Sequence, residues 1–164
     1  MRVLFVRAAG CRWPAGARAA VEVAARPLAP RDLSVQVVAA DDALLRQLNR
    51  DFRRQDRPTD VLSFRYARAA SRGGGDPDAE VYVSLERAAS QAREFGRTLR
   101  QEFVLLVLHG LLHVQGHDHH ARADRQRMHA AEVETLRRLA PRWRWLALPP
   151  MVAAAPAARG RKRQ

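Results

Sequence analysis

Residues 101–119 read QEFVLLVLHGLLHVQGHDH. From Gln101 to Gln115 there is no proline and apolar side chains dominate, which predicts a helix buried on most of its faces. His109 and His113 are four apart, so on a helix they lie one turn apart on the same face. Gly116 follows three residues later. Glycine tolerates the left-handed conformation that ends helices, so a stop and a sharp reversal are expected there. The reversal would bring His119 back toward the first two histidines. The spacing H-x3-H-x5-H can thus set three imidazoles around one metal ion and leave a fourth position open. An open fourth position separates a catalytic zinc site from a structural one. A helix packed on its other faces also gives the rigidity that preorganised ligands need.

An isolated pair of histidines on an apolar helix is ordinarily a core or cap feature. Here a third histidine follows a glycine turn, and five of the chain's six histidines fall within residues 109–120. That clustering favours a metal site over chance. His117 and His120 are ambiguous, as residues behind the ligands, substrate-facing groups or solvated side chains. Asp118 either orients a ligating imidazole or caps the next helix. His129 reads as a helix-surface residue.

The same spacing occurs in the metzincin motif H-E-x-x-H-x-x-G-x-x-H. In that motif the glutamate after the first histidine is the general base of peptide hydrolysis. Here that position is Gly110. Hydrolytic chemistry on a metal-activated water remains expected, on a substrate that does not depend on that base.

Residues 109–119, HGLLHVQGHDH, closely resemble the H-G-x-L-H-L-x-G-Y-D-H signature of the YbeY family, bacterial metal-dependent endoribonucleases linked to ribosomal RNA maturation and ribosome quality control. A second block supports the resemblance. Leu48-Asn49-Arg50-Asp51-Phe52-Arg53, then Pro58-Thr59-Asp60-Val61-Leu62-Ser63-Phe64, is similar to the family's L-N-x-x-Y-R and P-T-D-V-L-S-F. A weaker third block is Ala79-Glu80-Val81, where the family has G-D-I. The resemblance covers roughly residues 33–140. The chain departs from the pattern at His117 and Phe52, where tyrosine is usual, and at Glu80, where aspartate is usual.

The resemblance implies one Zn²⁺ ion per chain held by His109, His113 and His119, with Arg53 and His113 as the catalytic pair. Phosphodiester cleavage builds negative charge on phosphate oxygens, and an arginine beside the metal would stabilise it. Taken alone, Arg53 sits among Arg50, Arg54 and Arg57, and such a run is ordinarily a solvated face. Thr59, Ser63 and His117 are candidate substrate contacts; Thr59 and Ser63 read equally well as turn residues. The implied substrate is single-stranded ribosomal RNA, at the 3′ end of the small-subunit RNA, with the ribosomal subunit or ribosomal proteins as candidate partners.

Composition agrees with this reading. The chain has 164 residues, enough for one domain with a full core. Its formal net charge is +12 and its pI about 11.5. The excess favours a polyanionic partner. Residues 159–164 carry four of those charges, so the body is basic without them. Nearly all are arginine, whose fork matches phosphate. There is no apolar run long enough to span a membrane, and residues 2–7 read as a first strand rather than a signal peptide. The single cysteine, Cys11, reads as structural and fits a cytoplasmic protein.

The expected fold class is α+β: a single domain over 1–148, then a disordered basic tail over 149–164. Strands are expected at 2–7, 33–39, 60–65 and 79–84. Helices are expected at 16–26, 42–52 capped by Asp41, 85–95 capped by Ser84, the motif helix capped by Thr98, and 121–139. A four-stranded mixed sheet would be covered by about five helices, with the histidine helix placed as in zincins. Trp143 and Trp145 read as a packed edge rather than a base-stacking pair. Two rival functions stand beside the nuclease. A metzincin-like protease requires a base at 110. A ribosome-binding protein with a structural metal requires a fourth ligand, for which His117, Asp118 and His120 are the candidates.

Overall fold

The computed structural model describes residues 2–26, 28, 33–66, 76–117, 128, 130, 131, 134 and 135. In chain order the elements are β1 (Arg2–Arg7), α1 (Ala17–Ala25), β2 (Ser34–Ala40), α2 (Asp42–Arg53), β3 (Val61–Arg65), β4 (Ala79–Ser84), α3 (Leu85–Glu94) and α4 (Leu99–Val114). The expected strands and these four helices are present within two residues of the expected bounds. The last expected helix, the tail, both late tryptophans, Asp118, His119, His120 and His129 lie wholly or mainly outside the described residues. Within that helix the described residues, Met128, Ala130, Ala131, Glu134 and Thr135, are helical.

The strands form one mixed sheet in the order β1-β2-β4-β3. β1 and β4 flank β2 in parallel, and β3 runs antiparallel to β4. Parallel neighbours need crossover connections, and α1 supplies the one between β1 and β2. The alternation within the strands divides the core. Val35, Val37 and Ala39 of β2, with Ala79, Val81 and Val83 of β4, face α1 and α4. Ala40 and Leu62 face the other way, against Leu45 of α2. The histidine helix is therefore the inner element of the larger core.

The helix ends follow their capping residues. Asp41 accepts from the backbone N–H of Leu44, and Ser84 from that of Arg87. Thr98 and Gln101 form a reciprocal capping box that starts α4. Along α4, Phe103, Val104, Val107, Leu111 and Leu112 are almost wholly buried. Burial of each such side chain is worth about 1.5–3 kcal/mol, which ties the histidines to the most strongly packed segment. Arg97 and Glu102 form an ion pair at 2.7 Å with both side chains buried, closing the turn between α3 and α4.

Candidate active site

α4 ends as its glycine requires. Gly116 has φ 92°; its N–H donates to the carbonyl of His113 at 2.9 Å, and the N–H of His117 donates to that of Leu112 at 3.1 Å. This paired arrangement closes a helix around a left-handed residue. Nη1 of Arg65 donates to the carbonyl of Val114 at 3.1 Å, which satisfies another of the last-turn acceptors.

His109 and His113 converge as their spacing predicts. Their rings are 4.8 Å apart between centroids with planes at 77°, and their Nε2 atoms are 3.2 Å apart. Two nitrogens bound to one tetrahedral zinc at 2.0–2.1 Å would stand about 3.4 Å from each other. The donor set and its spacing therefore fit a metal, with both imidazoles partly exposed at the end of the helix. Gly110, between them, lies so close to the sheet that a side chain would collide with Val81 and Val61. The base of the zincin motif has no room at that position. Among the described residues there is no group of three or more metal-ligating side chains; His119, the expected third ligand, is outside them.

His113 opens into a cleft of about 1010 Å³. Arg53, Thr59, Ser63 and His117 line the same cleft, while His109 stands behind His113 and is not among the lining residues. Local structure explains their convergence. Arg54 adopts the left-handed conformation, φ 56°, and ends α2 directly after Arg53. The chain then runs back along the cleft and is pinned at several points. Buried Asn49 donates from Nδ2 to the carbonyl of Arg57 at 2.7 Å. Arg46 grips Asp56 through two bonds of 2.7 and 2.8 Å, which hold the Asp56 carboxyl below its ordinary pKa. Asp60 accepts from Gln91 at 2.9 Å and from the N–H of Val61 at 3.0 Å.

Lining residues that the sequence did not single out as site residues include Asn49, Arg57, Asp60, Arg87 and Gln91. Asn49 and Asp60 stand inside the quoted blocks and could have been found there. Arg87 and Gln91 come from α3, and no spacing in the sequence links that helix to the cleft. A separate polar cluster lies on β4. Glu80 accepts from Tyr66 at 2.6 Å, from Tyr82 at 3.1 Å and from Gln36 at 3.0 Å. Burial, then the Glu80 carboxylate, pushes the Tyr82 hydroxyl up to about 12 and raises that of Tyr66 as well.

The family model for Endoribonuclease YbeY matches residues 12–140. The chain is 52% identical over 91 residues to Endoribonuclease YbeY of Solibacter usitatus, covering 56% of this chain and 56% of that protein. To the protein of the same name in Pelotomaculum thermopropionicum it is 39% identical over 125 residues, covering 74% of this chain and 82% of that one. The Solibacter match thus spans little more than half of that relative's length. A solution structure of a Thermotoga maritima protein superposes with a TM-score of 0.59 at 25% identity, covering 96% of this chain and 99% of that one. The YbeY model takes in most of the chain, including α2, the pinned loop and the whole of α4, and the chain belongs to the YbeY endoribonuclease family.

Proposed function

We propose that this chain is a zinc-dependent endoribonuclease of single-stranded RNA, acting in the cytoplasm on the 3′ end of small-subunit ribosomal RNA and in ribosome quality control. The observation that carries the nuclease reading is the cleft that joins His113 to Arg53, Thr59, Ser63 and His117. Its ribosomal setting rests on the family, and the +12 charge is in keeping with an RNA partner.

His109, His113 and His119 would hold the ion, as in a zincin-like site. Zinc supplies a Lewis acid that polarises the phosphodiester and acidifies water. Arg53, exposed at the end of α2, is free to present its planar fork to the phosphate oxygens and to offset the charge that builds on them. The same role serves attack by water or by the RNA's own 2′-hydroxyl. Thr59 and Ser63 offer hydroxyl donors to the backbone of the strand. Packing at Gly110 disfavours the protease reading.

The reading is tested by incubating the purified protein with labelled single-stranded RNA, the matching duplex and casein. Cleavage of the single strand alone is expected. Casein degradation without RNA cleavage would replace this reading with the protease.

A further inference from the structure

Arg87 is built into the cleft with unusual care for a surface arginine. Ser84, the cap of α3, accepts from the backbone N–H of Arg87 at 3.1 Å and donates its hydroxyl to Asp42 at 2.6 Å. The same Asp42 oxygen stands 3.2 Å from Nε of Arg87. The backbone N–H of Asp42 in turn donates to Glu86. Asp42 thus faces the Nε edge of the guanidinium as an ion pair, Nε itself makes no hydrogen bond, and the terminal nitrogens have no partner among the described residues. Such a half-exposed pair contributes little to stability, so its effect is to place Arg87.

Arg57 lines the same cleft from a different element, the loop after α2. Its Nε and Nη2 donate to the side chain of Gln55 at 3.2 and 3.1 Å, and its carbonyl is fixed by Asn49. Asp60, the carboxylate among the described lining residues, is taken up by Gln91, Thr59 and the N–H of Val61. The cleft, about 1010 Å³, is at the top of the range for small-molecule sites, roughly 300–1,000 Å³. That is more room and more positive charge than one phosphodiester linkage engages.

We propose that Arg57 and Arg87 form a second phosphate subsite, which grips the RNA backbone away from the bond that is cut. This rests on the endoribonuclease reading. Arg53 and the histidines act at the scissile phosphate, and Arg57 and Arg87 select strands of several nucleotides over a dinucleotide.

The test is binding of a labelled single-stranded RNA oligonucleotide by fluorescence anisotropy across a salt series, with cleavage kinetics beside it. Each lost phosphate contact on a single strand makes the slope of log K against log salt shallower by about 0.7. Arg57→Ala and Arg87→Ala are each expected to show that change, and Arg18→Ala on α1 to keep the wild-type slope. In cleavage, KM for the oligonucleotide is expected to rise about tenfold, the loss of a charge-assisted hydrogen bond, with kcat within about twofold. The advantage of the oligonucleotide over a dinucleotide in kcat/KM shrinks accordingly. Wild-type slope and KM in Arg87→Ala, with normal RNA cleavage, would overturn the subsite and leave the nuclease standing. Absence of RNA binding by the wild-type protein would overturn both.

Discussion

A Cβ built on Gly110 would stand 2.5 Å from Cγ1 of Val81, so α4 rests directly on β4 between its two histidines. Alanine at 110 gains about 1 kcal/mol of helix propensity but forces a branched, buried side chain to move, which costs about 1–3 kcal/mol. Gly110→Ala is therefore expected to lower the urea midpoint, and Val81→Ala in the same chain to cost less than it does alone. Additive losses in the double variant would show that the two residues do not press on each other.

Arg53 is exposed, so its removal opens no cavity in the core. Arg53→Ala is expected to leave the thermal transition in place and to lower kcat for RNA cleavage by about 100- to 1,000-fold, the loss typical of one preorganised donor to transition-state charge. Arg53→Lys should recover only part of the rate, because a single ammonium cannot reproduce the fork. A kcat within threefold of wild type in Arg53→Ala would remove this residue from the chemistry.

The Arg97–Glu102 pair is 5% and 4% exposed at its side chains. Removing one partner leaves a buried charge without compensation. Arg97→Ala is expected to destabilise the fold by about 3–5 kcal/mol, and Arg97→Met with Glu102→Leu to cost far less. Equilibrium urea denaturation measures both; equal losses in the single and double variants would contradict the assignment.

Tyr66 and Tyr82 are the chain's only tyrosines, so tyrosinate absorbance reports the Glu80 cluster alone. Both hydroxyls are held protonated in the fold, first by burial and then by Glu80. A folded pKa above the unfolded one contributes stability that is complete below about pH 10. That contribution is lost as pH rises toward the folded value of Tyr82, about 12. Glu80→Gln is expected to bring both midpoints down, yet not to the ordinary value, because burial remains. Two wild-type tyrosines titrating at the ordinary value would refute the cluster.

Much of this arrangement was legible in the sequence because it depends on local rules. Asp41, Ser84 and Thr98 mark helix starts by their own side chains, and Gly116 marks a stop by its backbone freedom. The convergence of His109 with His113 needs only helical period. What was not legible depends on chain paths that meet far apart in sequence. Arg87 and Gln91 reach the cleft because β4 pairs with β3 and carries α3 to the same side. The close approach that requires Gly110 is likewise set by the strand lying beneath it, although the sequence showed that a base was missing there.

On the proposed function, RNA cleavage runs on an ion that His109, His113 and His119 would hold. The most direct measurement is the rate at which chelator-stripped protein cuts single-stranded RNA before and after zinc is restored. Negligible cleavage by the stripped protein, recovery on adding zinc, and no recovery in His113→Ala are expected. Stripped protein that cuts RNA as fast as the zinc-loaded form would contradict the proposed function.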